Sequence, residues 1–142
     1  MFNISQIADT VRSFSEKTGI VLSELRVGSS GALVMLGLKN ESRDIDVEVS
    51  TEVFEDLKKR FPDAYRPKPY FEGHPLAPGV LELLVFDTEH GDLEIMLASL
   101  PFESPTQVTR GITHHTKETA VKFKQWLSRE KDVQHLKEAG LI

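Results

Sequence analysis

Asp44 and Asp46 stand two residues apart in the run Asp44-Ile45-Asp46-Val47-Glu48-Val49. The strict alternation of acid and apolar residue is the pattern of a β-strand with one polar face. Residues i and i+2 of a strand project from the same face, roughly 6.5–7 Å apart along the backbone. Carboxylates so placed repel each other unless water or a cation lies between them. They can converge on one or two divalent ions, and a hard ion such as Mg²⁺ takes oxygen ligands and completes its shell with water and phosphate oxygens. A lone Asp-x-Asp is more often the wet face of a strand, so a third acid matters. Glu94, between Leu93 and Ile95, is the candidate. A charge flanked by apolar residues in a strand is costly to bury unless it is paired or metal-bound. Glu82, in Leu81-Glu82-Leu83, competes and ranks lower, because Glu94 follows the turn of a predicted hairpin.

A second constellation lies just upstream. Gly28, Ser29, Ser30 and Gly31 form a small-residue turn between a short strand, 22–27, and an apolar run, 32–38, that suits a buried helix or a strand, the small residues before it favouring a helix start. Gly28 lets a ligand approach the backbone. Ser29 and Ser30 offer hydroxyls, and the following helix aims free N–H groups at an anion. A triphosphate suits that layout.

The remaining elements follow from periodicity and caps. Asn3 caps a helix whose apolar residues Ile4, Ile7, Val11 and Phe14 recur at helical spacing, with Gly19 near its end. Ser50 or Thr51 caps a helix that Pro62 ends. The prolines at 67, 69, 75 and 78 predict an irregular segment with room for a short edge strand at 64–71. Within it, Phe71 and His74 are candidates for a lid on the acceptor side, and an ordinary surface loop fits as well. Residues 80–87 and 93–100 predict a β-hairpin. Residues 101–114 read as irregular, and His114-His115 as a mobile, solvated pair. Thr116 starts a helix, and a last helix ends at Gly140. The order predicts one α+β domain over 1–142, with a mixed sheet of about four strands backed by helices.

Composition narrows the function. The chain of 142 residues has no cysteine, which excludes disulfides and thiolate–metal sites. The formal charge is −5, unevenly spread. Residues 1–107 hold 10 Lys/Arg against 18 Asp/Glu, and residues 108–142 hold 7 against 4. An acidic body is a poor nonspecific DNA binder, while the basic C-terminal segment can build a local anion site. No apolar run nears the roughly 20 residues that span a bilayer. With no signal-peptide pattern either, the expectation is a cytoplasmic protein away from membranes.

Together, Val27-Gly28-Ser29, the small-residue helix and Asp44-x-Asp46 resemble the nucleotidyltransferase-fold superfamily, whose relatives include DNA polymerase beta. The likeness is strongest to the minimal nucleotidyltransferases, including toxin-type members of toxin–antitoxin systems. Lys124 followed by Arg129-x-Lys131-Asp132 is similar to a pattern on their two last helices. The third acid here is Glu94 where Asp is commoner, and Ser30-Gly31 stands where many relatives have Ala.

The resemblance implies a nucleotidyltransferase-like sheet with C-terminal helices closing the cleft. It implies transfer of an NMP from an NTP to an acceptor hydroxyl, with Mg²⁺ or Mn²⁺ held by Asp44, Asp46 and Glu94. Gly28, Ser29, Ser30, Lys124 and Arg129 would then bind the nucleotide, ATP among the candidates. The acceptor would be a protein, a tRNA or a small molecule, and a toxin-type member would have a cognate antitoxin. A catalytically silent module that binds a nucleotide or a partner protein is the alternative, and Glu in place of Asp at position 94 is compatible with it.

Overall fold

The computed structural model describes residues 1–98 and 100–142. Helix α1 (Ile4–Thr18) opens the chain. Asn3 and Gln6 form its capping box, and Gly19, at φ 77°, ends it. The predicted strand at 22–27 is only partly one. Leu22–Glu24 forms a 3₁₀ turn, closed by the Leu25 amide on the Leu22 carbonyl, and β1 is confined to Arg26–Gly28. Helix α2 (Ser29–Met35) starts three residues earlier than predicted. Gly37, at φ 75°, stops it before Leu38.

The alternating run becomes β2 (Ile45–Val49). Helix α3 (Thr51–Arg60) follows, capped by the Ser50 hydroxyl. Short strands β3 (Lys68–Pro69) and β4 (Val80–Leu81) pair as a two-stranded ribbon. The chain breaks step at Glu82, so the predicted strand 80–87 is two elements, and β5 is Leu83–Asp87. Strand β6 spans Asp92–Leu97. The predicted continuation to residue 100 includes Ser99, which lies outside the described residues.

The main sheet has six strands, not about four, in the order β5-β6-β2-β1-β8-β7. The two extra strands come from the stretch read as irregular: β7 (Thr106–Thr109) and β8 (Ile112–His115) form an antiparallel hairpin. Arg110 and Gly111 both take positive φ, 53° and 78°, as a two-residue turn matched to strand twist requires. These strands are rich in Thr, Gln and His, so no apolar alternation marks them. Helices α4 (Lys117–Leu127) and α5 (Glu130–Glu138) close the chain.

One sheet face is apolar. Val27, Ile45, Val47, Val49, Leu84 and Ile95 pack there against Ile7, Val11 and Phe14 of α1 and Phe54 and Leu57 of α3. A smaller cluster of Ala32, Leu33 and Ala120 joins α2 to α4. Since β2 alternates, burying Ile45, Val47 and Val49 commits Asp46 and Glu48 to the opposite face. No helix is long and apolar enough to cross a membrane among the described residues.

Candidate active site

Strands β2 and β6 are parallel neighbours, with Asp46 directly opposite Glu94. Both side chains line a cleft of about 250 Å³, together with Asp44, which precedes β2. The carboxyl groups of Asp46 and Glu94 are hydrogen-bonded to each other. Burial raises the pKa of Asp46; the bond from Glu94 opposes the rise, and the charge of Asp44 adds to it. Glu94 is pushed up to about 7, by burial first and then by the hydrogen bond and charge of Asp46. Two carboxylates brought together in a partly buried cleft hold more negative charge than the site tolerates. A shared proton or a cation relieves it.

The donor set is entirely hard oxygen. Among the described residues no group of three His, Cys, Asp or Glu side chains closes around one point unaided. Mg²⁺ commonly takes one or two carboxylates and draws the rest of its shell from water and phosphates. The acid pair with Asp44 beside it fits such an ion. Glu82, the competing acid, is elsewhere: it accepts a hydrogen bond from the Tyr65 hydroxyl.

Gly28 lies opposite Asp46 on the other flank of β2, so acid pair and turn share one row of the sheet. Its φ of −125° is open to any residue. Space is what demands glycine here, since a Cβ would sit 3.0 Å from Cε1 of His115. Ser29 lines the cleft and holds φ at 53°, a left-handed conformation unusual for serine. Ser30 does not line the cleft: its Oγ accepts from Lys124 Nζ at 3.1 Å and lies 3.3 Å from His135 Nδ1.

Lys124 is 1 % exposed and does not line the cleft. Its ammonium bonds Ser30 and His135 (3.0 Å) and pairs with Asp132 at 3.7 Å. Burial lowers its pKa to about 8, against the pull of Asp132. Burial, then the Lys124 charge, lowers His135 to about 4, so its neutral ring accepts from the ammonium. The Lys124 charge therefore acts on the site from beneath the Ser29–Ser30 turn. Arg129 does line the cleft, gripping Asp132 through Nε at 2.7 Å and Nη2 at 3.2 Å. Its guanidinium stands 5.0 Å over the Phe71 ring.

Several lining residues escape a reading of the sequence. His114 and His115 are buried, at 0 % and 2 % exposure, and not solvated. His114 bonds the Thr109 hydroxyl at 2.7 Å and the His115 carbonyl at 2.8 Å. His115 Nε2 lies 3.0 Å from Oε1 of Glu48, itself buried. Lys68 enters from β3 and Lys131 from α5. The loop between β3 and β4 supplies Tyr70, Phe71 and His74 to the cleft wall. His74 stacks on Tyr70 at 4.2 Å and meets Trp126 of α4 edge-on at 5.4 Å. Of this wall, the sequence singled out Phe71 and His74, and Tyr70 and Trp126 went unmarked.

Three solved structures share this architecture. A provisionally assigned nucleotidyltransferase from Thermotoga maritima superposes with a TM-score of 0.62 at 16 % identity, over 96 % of this chain and 94 % of that one. The antibiotic-resistance factor ANT(2″)-Ia in solution superposes at 0.53 and 14 %, over 96 % and 81 %. Its crystal structure with adenylyl-2″-tobramycin does so at 0.52 and 13 %, over 96 % and 86 %. No family profile and no curated protein matches the sequence. The likeness is one of fold, and this chain has the nucleotidyltransferase fold.

Proposed function

We propose that this protein transfers a nucleoside monophosphate from an NTP to an acceptor hydroxyl and releases pyrophosphate. The observation that carries the reading is the Asp46–Glu94 pair, in register on adjacent strands and facing the same cleft as Gly28 and Ser29. Asp44, Asp46 and Glu94 are the residues to hold Mg²⁺ or Mn²⁺. Such an ion, when bound, neutralises triphosphate charge and stabilises the entering and leaving oxygens.

The chain's own groups do the positioning. The Ser29 hydroxyl and the backbone at Gly28 hold the phosphates. Lys68, Arg129 and Lys131 set positive charge at the cleft wall, and Lys124 adds its charge from behind the turn. Tyr70, Phe71 and Trp126 offer faces on which a base stacks. The acceptor oxygen attacks the α-phosphorus, its bond to phosphorus forms, and the bond to pyrophosphate breaks. A carboxyl oxygen of Glu94, raised to about 7, takes the acceptor's proton. The ANT(2″)-Ia neighbour, seen with adenylyl-2″-tobramycin, supports this class of product.

The test is label transfer from each of the four NTPs to cell extract, with wild type and Asp46→Ala side by side. Transfer by wild type that disappears in the variant is expected. Equal background from both would overturn the reading and leave a silent binding module. The size of the labelled product separates protein, tRNA and small-molecule acceptors.

A further inference from the structure

His74 has no part in the steps above, yet the β3–β4 loop is built to hold its ring. The Tyr70 amide donates to the Gly79 carbonyl at 2.9 Å and closes the loop. Within it the His74 amide donates to the Phe71 carbonyl, and the Ala77 amide to the His74 carbonyl. Gly79 leaves room for Tyr70, since a Cβ there would lie 3.2 Å from that ring. The imidazole stacks on Tyr70 and meets Phe71 edge-on at 4.9 Å and Trp126 at 5.4 Å. The loop and α4 thus grip the ring between them, and it lines the cleft.

One bond places the ring's proton. The Leu76 amide donates to His74 Nδ1 at 2.9 Å. A backbone N–H only donates, so Nδ1 is the bare nitrogen and Nε2 carries the proton. Burial, then the Arg129 charge, lowers the pKa of the ring and favours its neutral form. Among the described residues, the Leu76 bond is the one the ring makes. Nε2–H, at the far end of the ring from the backbone, is left as a donor of fixed direction. The faces of Tyr70, Phe71 and Trp126 offer stacking, which every base accepts. A fixed N–H beside such faces discriminates, because base edges differ in where they carry acceptors and amino donors.

We infer that His74 is a base-selecting residue: the nucleobase stacks on the aromatic wall, and Nε2–H donates to a carbonyl oxygen or ring nitrogen on its edge. The inference rests on the nucleotidyl-transfer reading and adds to it a choice among NTPs. A base that presents an amino group at that spot meets a donor with a donor and is disfavoured.

The test measures binding of nonhydrolysable analogues of the four NTPs, and of ribose triphosphate, which lacks the base, to wild type and His74→Asn with Mg²⁺. The asparagine carbonyl keeps an acceptor for the Leu76 amide, and nothing replaces Nε2. Wild type is expected to prefer some of the four NTPs over others. In the variant the ratio of best to worst affinity should shrink about three- to tenfold, as for loss of a neutral hydrogen bond, with ribose triphosphate affinity unchanged. An unchanged ratio overturns the inference, and so does a wild type that binds all four alike. An equal loss for the NTPs and for ribose triphosphate also overturns it, and marks His74 as a brace of the loop alone. If the asparagine variant does not fold, His74→Phe keeps an aromatic ring without the donor and is read the same way. A wild type that binds no NTP overturns the nucleotidyl-transfer reading itself.

Discussion

The carboxyl groups of Asp46 and Glu94 meet across the parallel β2–β6 ladder, hydrogen-bonded to each other. They are 48 positions apart in the chain, and the register of two strands brings them together. Each strand buries its apolar side chains on the far face, so neither acid can turn away without breaking the core.

That pairing sets a pH dependence. A carboxyl raised from 4.5 to about 7 binds its proton more tightly in the folded state than in the unfolded one. Folded protein therefore holds more protons inside that window. Metal-free stability is full below it, falls as pH rises through it, and levels off above. The expected fall is on the order of 1–3 kcal/mol, after allowing for solvent screening. Bound Mg²⁺ offsets it, so Mg²⁺ should raise the melting temperature more near pH 8 than near pH 5. Melts of wild type and Glu94→Gln check this. An equal Mg²⁺ effect at both pH values would count against the acid cluster, and Glu94→Gln should flatten the slope.

Gly28→Ala removes no functional group, yet it should impair the site. The new Cβ would press on the His115 ring at 3.0 Å, moving the ring off Glu48. Overpacking of this kind costs about 1–3 kcal/mol. Chemical denaturation reads the stability, and NTP titration reads the site. Stability and NTP affinity both equal to wild type would show that the ring yields freely.

Lys124→Ala leaves Asp132, fully buried, with Arg129 as its remaining cation. Breaking a buried pair costs about 3–5 kcal/mol, and retained Arg129 puts the expectation at the lower end. Lys124→Met combined with Asp132→Asn removes both charges and should cost less than the alanine change alone. Urea unfolding of the two proteins makes the comparison, and the reverse order would refute a structural role for the pair.

Trp126 is the single tryptophan of the chain and lines the cleft. Filling the cleft should therefore change its emission. A saturable change on NTP addition with Mg²⁺, absent in Trp126→Phe, is expected. A flat titration, with binding established by calorimetry, would place the nucleotide elsewhere.

Much of the site was legible because its signals are local. Alternation over 44–49 fixes which side chains share a face, and Glu94 stands out as an acid between buried neighbours. The small residues at 28–31 mark the turn. The hairpin at 106–115 was not legible, since its strands carry Thr, Gln and His instead of an apolar repeat. His115 looked solvated because imidazole is polar; its burial depends on Glu48, a distant residue, and on the missing side chain of Gly28. Lys124 looked like a helix lysine or a cleft residue. It is instead a buried cation under the turn, because α2 and α5 close over it with Ser30, His135 and Asp132.

Local chemistry along the chain determined the α+β class, the caps and the acid face of β2, and it narrowed the third acid to Glu94 or Glu82. These follow from periodicity and side-chain type, which act over a few residues. Tertiary structure decided the six-strand order, the opposition of Asp46 and Glu94, the aromatic wall of the cleft and the Glu48–His115 pair. Each of these depends on which strands become neighbours and in what register, and that is settled only when the whole core packs.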